Sequence, residues 1–102
     1  MGSMSVAELV QVLYESKNDA WRDDAAELLA RAPDRAEAEA ALIEAIQSSA
    51  IDDSLRRTCA ESLAEIWIER GSVSESAFAE LQGMPRDVVK TFLRAANISF
   101  KE

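Results

Sequence analysis

The chain has 102 residues, 48% hydrophobic and 29% charged, a balance that suits one soluble domain with a single apolar core and argues against disorder. Nineteen Asp and Glu against eleven Lys and Arg give a formal charge of -8, the wrong sign for holding nucleic acid by its phosphates. With no histidine, one cysteine and three glycines, histidine-dependent catalysis, His- or Cys-rich metal sites and Gly-rich phosphate loops are excluded by residue type.

The chain is therefore expected to bind no cofactor or metal and not to be an enzyme. Carboxylate-pair hydrolysis needs no histidine, but a small helical stack offers little room for a deep substrate cleft. No segment approaches the roughly 18 consecutive apolar residues of a membrane span, and no basic stretch precedes an apolar one. Cys59 alone forms no internal disulfide. The expected compartment is the cytoplasm, with no membrane contact.

Met1-Gly2-Ser3 ahead of a second start, Met4, reads as an expression scar, leaving a single domain over residues 4–102. Ser5-x-x-Glu8 has the capping-box form and opens a helix over 5–16. Asn18 and Asp19 can cap a second over 19–32, which Pro33 ends. A second box, Asp34-x-x-Glu37, opens 35–48; Asp52 and Asp53 open 53–70, with Gly71 able to take the left-handed turn that follows. A third box, Ser72-x-x-Glu75, predicts a helix over 74–82 ending before Gly83, and Pro85 suits the first turn of a sixth over 85–96, ended at Asn97. Strand signals are nearly absent, so the chain is expected to be all-α. Short connections between amphipathic helices force neighbours to lie antiparallel.

Two of these helices echo each other. Trp21-Arg22-Asp23-Asp24-Ala25-Ala26-Glu27-Leu28-Leu29-Ala30 aligns without a gap on Leu55-Arg56-Arg57-Thr58-Cys59-Ala60-Glu61-Ser62-Leu63-Ala64, 34 residues later. A fainter copy, Arg86-Asp87-Val88-Val89 with Leu93, follows at an offset of 30, Pro85 standing where Trp21 and Leu55 stood. A period in this range signals units that bury their apolar faces only by stacking. Trp21, Ala25, Leu28 and Ala32 then form one core stripe, and Leu55, Cys59, Leu63 and Ile66 another. Trp67 and Ile68, adjacent to Ile66, cannot share that stripe, so the fourth helix must be covered on more than one side. Cys59 fills the small-residue slot of Ala25 and reads as a buried structural thiol.

An apolar residue, Arg, two variable positions, Ala or Cys, Ala, two more positions and Leu, preceded by acidic caps, resembles the first helix of a HEAT repeat. The resemblance implies six short antiparallel helices stacked as a HEAT-like α-solenoid, a scaffold that binds other proteins. Asp53-Ser54-Leu55 through Leu63-Ala64-Glu65-Ile66-Trp67 is also similar to helical immunity proteins of bacterial polymorphic toxin systems. That likeness implies an antitoxin whose partner is a basic toxin domain. The polar Glu8, Gln11 and Glu15 at one end and Asp87, Lys90 and Arg94 at the other argue for a finished monomer over an open array. The alternative is a general HEAT-like adaptor that joins proteins or pairs with itself.

The acids are arranged by helix face. Glu37 and Glu44 sit seven residues apart opposite Leu42 and Ile46; Glu8 and Glu15 repeat that spacing, and Glu75 and Glu80 flank Phe78. If helices one, three and five line one surface, these six carboxylates form a field for a basic partner, with Val12 and Tyr14 as apolar anchors. The same pattern also serves solubility.

Overall fold

The computed structural model describes residues 4–101, so the expected scar at residues 1–3 lies outside the described residues. The helices are α1 (Val6–Glu15), α2 (Asp19–Leu29), α3 (Arg35–Gln47), α4 (Asp53–Arg70), α5 (Glu75–Glu80) and α6 (Gly83–Ala95), with no strand among the described residues. The two-way capping box forms at Ser5, whose hydroxyl accepts from Glu8 N–H while the Glu8 carboxylate accepts from Ser5 N–H. Asn18, Asp34 and Asp52 each accept from the backbone N–H three residues on. Gly71 (φ 79°) and Asn97 (φ 59°) both take the left-handed turn. After each, the chain bends back: Ser72 N–H reaches Trp67 C=O and Ile98 N–H reaches Leu93 C=O.

Three boundaries differ from expectation. The Ser72–Glu75 box does not form: α5 is capped at Ser74 without a side-chain bond, and the Ser72 hydroxyl accepts from Arg70 Nε at 3.2 Å instead. Helix α2 stops at Leu29, well before Pro33, because the amides of Ala30, Arg31 and Ala32 tighten onto carbonyls three residues back while Arg35 donates to Ala30 C=O at 2.5 Å. Helix α6 starts at Gly83, in the left-handed region (φ 65°), and places Pro85 inside its first turn.

The sequence echo extends to hydrogen bonding. Arg22, near the start of α2, donates through Nε to Leu13 C=O near the end of α1 at 2.9 Å. Arg56, at the matching place on α4, donates to Ile46, Ser48 and Ile51 C=O at 2.9, 2.9 and 2.6 Å. Arg86, on α6, donates to Phe78 and Leu81 C=O at 2.9 and 3.4 Å. Each guanidinium thus serves carbonyls at the C-terminal end of the preceding helix or in the turn that follows it. Arg22 and Arg56 also pair with the aspartate three residues earlier, Asp19 and Asp53.

Helix α4 packs against α2, α3 and α6, and α1 against α2 and α3. Coverage from several sides explains why Ile66 and Trp67 are both buried. Glu39 of α3 ties that seam: it accepts from Trp67 Nε1 at 2.6 Å and pairs with Arg70 at 2.9 Å. Leu55, Cys59, Leu63 and Ile66 are buried as expected. The α2 stripe is only half buried. Ala25 and Ala32 are inside, but Trp21 is 64% and Leu28 45% exposed. The reason lies in what covers each helix: Leu55 and Thr58 of α4 face Asp19, Ala20 and Asp23 of α2 across a shared cleft, whereas no described helix stands over Trp21. Trp21 and Leu55, matched in sequence, therefore occupy different environments.

The tail packs back. Phe100 meets Phe78 edge-on at 5.2 Å between ring centroids, Arg86 stacks over Phe78 at 4.3 Å, and Arg94 lies 5.7 Å from the Phe100 centroid.

Candidate functional site

Three of the eight residues singled out from the sequence converge. An open cleft of about 300 Å³ between α1 and α3 is lined by Val6, Ala7, Val10 and Tyr14 on one side and Glu37, Ala40, Ala41 and Glu44 on the other. The convergence is a matter of period. Residues 37, 40, 41 and 44 fall on one face of α3, and the small alanines leave the groove that Tyr14 borders. Burial pushes the Tyr14 phenol above its ordinary value; the Ser48 hydroxyl opposes this, and the neighbouring Glu44 carboxylate adds to it. The ring is half-buried and the two carboxylates are exposed. Such a site offers a basic side chain two acceptors beside an apolar floor.

A second cleft, about 320 Å³, runs along the other side of α3 between Ala36, Glu39, Ala40 and Ile43 and the α5 residues Ser74, Ser76, Ala77 and Glu80. Ala40 borders both clefts, so α3 lies between the α1 and α5 residues that line them. Glu80 also accepts from Gln47 Nε2 at 3.4 Å. Glu8, Glu15 and Glu75 are exposed but line neither cleft. The Glu8 carboxyl is held below its usual range by the Ser5 backbone N–H and then the Ser5 hydroxyl, so it is committed to the start of α1.

Val12 parts company with Tyr14. Two residues apart on a helix, they point about 200° apart. Val12 lines a cleft of about 260 Å³ on the other side of α1, with Met4, Leu9, Trp21, Asp24, Ala25 and Leu28. The sequence reading placed Trp21 and Leu28 in the core and so overlooked this surface.

A wider, open groove of about 1060 Å³ lies beside the α3–α4 and α5–α6 connections. Two of its charged groups are engaged in structure, Arg56 by three carbonyls and Asp53 by Arg56. Cys59 is buried, and burial together with Asp23 pushes its thiol up to about 12, against the opposing charge of Arg56. The nucleophilic thiolate is accordingly suppressed. Among the described residues no group of three or more His, Cys, Asp or Glu is placed to hold a metal ion, and no helix is long and apolar enough to cross a membrane.

No protein-family model, curated protein or solved structure matches the chain.

Proposed function

We propose that the chain is a non-catalytic protein-binding module of the immunity-protein kind: three antiparallel helical hairpins stacked as a short HEAT-like solenoid, acting in the cytoplasm on a basic toxin domain. The stacking reading draws on the recurrent arginines at the hairpin turns and on α4 lying between α2 and α6. The binding reading is carried by one observation, the convergence of Tyr14, Glu37 and Glu44 on an open cleft floored by Val10, Ala40 and Ala41. Opposite potential speeds encounter and fixes register, while a half-buried tyrosine over small apolar side chains supplies contact area. The net charge of -8 extends that attraction over the surface.

The test is co-expression with the product of the adjacent gene. The account expects a stable complex that protects the cell, and protection lost when Glu37 and Glu44 are both changed to Lys. An adjacent product that is harmless and does not co-purify overturns the immunity reading. The adaptor alternative draws on a different observation, the exposed Met4, Trp21 and Leu28. It predicts a dimer that persists on dilution in sedimentation.

A further inference from the structure

The cleft between α1 and α2 collects the large apolar side chains that the fold leaves outside: Trp21 at 64%, Leu28 at 45% and Met4 at 40% exposure. Trp21 and Leu28 are seven residues apart, so they stand two turns apart on one face, with Asp24 between them and Val12 of α1 alongside. Tryptophan at this exposure is the residue type that most often anchors a protein interface.

The sequence register indicates what would cover the face. Trp21, Asp24 and Ala25 match Leu55, Thr58 and Cys59 at the 34-residue offset. On α4 those positions meet α2: Leu55 and Thr58 face Asp19, Ala20 and Asp23, and Thr58 Oγ1 donates to Asp23 Oδ1 at 2.5 Å. The face of α2 that carries Trp21 is therefore the one on which another helix would lie if the pattern of α2 on α4 were continued by one unit. One position is altered in a telling way. Where α4 has a hydroxyl that donates, α2 has the acceptor-only carboxylate of Asp24, so the incoming helix must supply the donor. A second copy of this chain fits poorly. An isologous pair sets Asp24 near Asp24 and brings together two bodies of charge -8.

We infer that the Met4–Val12–Trp21–Leu28 cleft docks an amphipathic helix of another protein, its apolar ridge on Trp21 and Leu28 and a Lys or Arg beside Asp24. This rests on the stacked-hairpin reading given above but not on the acidic cleft between α1 and α3, which lies on the opposite side of α1. The helix extends the stack, burying the tryptophan much as Leu55 is buried one unit later.

The probe is a pair of stapled helical peptides sharing a leucine ridge at i, i+3 and i+7 and differing only in two Lys or two Glu beside it. Binding is read from the fluorescence anisotropy of a dye carried by each peptide, a signal that survives the loss of Trp21. The Lys peptide is expected to bind at least about tenfold more tightly than the Glu peptide, a preference that Asp24→Lys inverts and Trp21→Ala abolishes. Trp21 is exposed, so Trp21→Ala should melt like the parent, and a Glu37→Lys/Glu44→Lys variant should bind the Lys peptide normally. Failure of that last variant to complex its partner leaves this inference standing. The inference is overturned if neither peptide binds, if both bind equally, or if Trp21→Ala binds as the parent does. Sedimentation showing a dimer that Trp21→Ala dissolves overturns it in favour of a second copy.

Discussion

Replacing Arg56 with alanine removes one guanidinium from three carbonyls, that of Ile46 in the last turn of α3 and those of Ser48 and Ile51 in the connection to α4. A hydrogen bond to a charged group is worth roughly 1.5–3 kcal/mol. The Arg56 side chain is 20% exposed, so water recovers part of that on truncation, and its pairing with a largely exposed Asp53 adds little. The expected loss is about 3 kcal/mol, or a fall in Tm of about 15 °C for a domain of this size. Arg22 serves one carbonyl and Arg86 two. Alanine at Arg22 should therefore cost about 1 kcal/mol and at Arg86 about 2 kcal/mol. Far-UV circular dichroism melts of the three variants give the order directly. Lysine at Arg56 keeps the charge without the fork and should recover less than half of the loss. Equal losses at all three positions, or full recovery by lysine, would refute the view that these arginines hold the hairpins through their terminal carbonyls.

Glu39→Ala orphans the buried Trp67 Nε1–H and releases Arg70, and should cost about 2–3 kcal/mol in denaturant unfolding with no change in the far-UV spectrum. For Cys59, native protein should react with a maleimide only as fast as it unfolds, since the thiol is buried. Its value is raised in the fold from 9.0 to about 12. The neutral form is thus favoured in the native state, so the stabilisation is complete below about pH 9 and is lost as pH rises towards 12. Cys59→Ala, which restores the residue found at Ala25, should flatten that alkaline loss in stability measured against pH; an unchanged slope would show that other groups cause it.

The features legible in the sequence are those set by neighbours along the chain. Caps at Ser5, Asn18, Asp34 and Asp52 need only the following turn, and the echo of Arg22 in Arg56 and Arg86 carried its hydrogen-bonding role with it. Trp21 shows where this stops. Periodicity assigns a side to an apolar residue, but burial depends on a second helix lying over that side, and α2 lacks the cover that α4 receives. The Ser72 box lost to Arg70, a competitor from the preceding helix that a local motif does not register. Tyr14 and Val12 were grouped as anchors although their angular separation on α1 sends them to different clefts. Tyr14, Glu37 and Glu44 came together because the small residues of α3 let α1 approach, a consequence of packing that the spacing of the two glutamates foreshadowed only on its own helix.

The central claim is that the cleft between α1 and α3 receives a basic partner. Its most direct test is the association rate of the adjacent gene's product with the parent and with Glu37→Lys/Glu44→Lys, followed by stopped flow over a range of salt. Both carboxylates are exposed, so the variant should lose no more than about 1 kcal/mol, from the first-turn position of Glu37. The account predicts association slower by about tenfold at low ionic strength, the two rates converging as salt is raised. Equal rates at low salt, with the complex still formed, would contradict it.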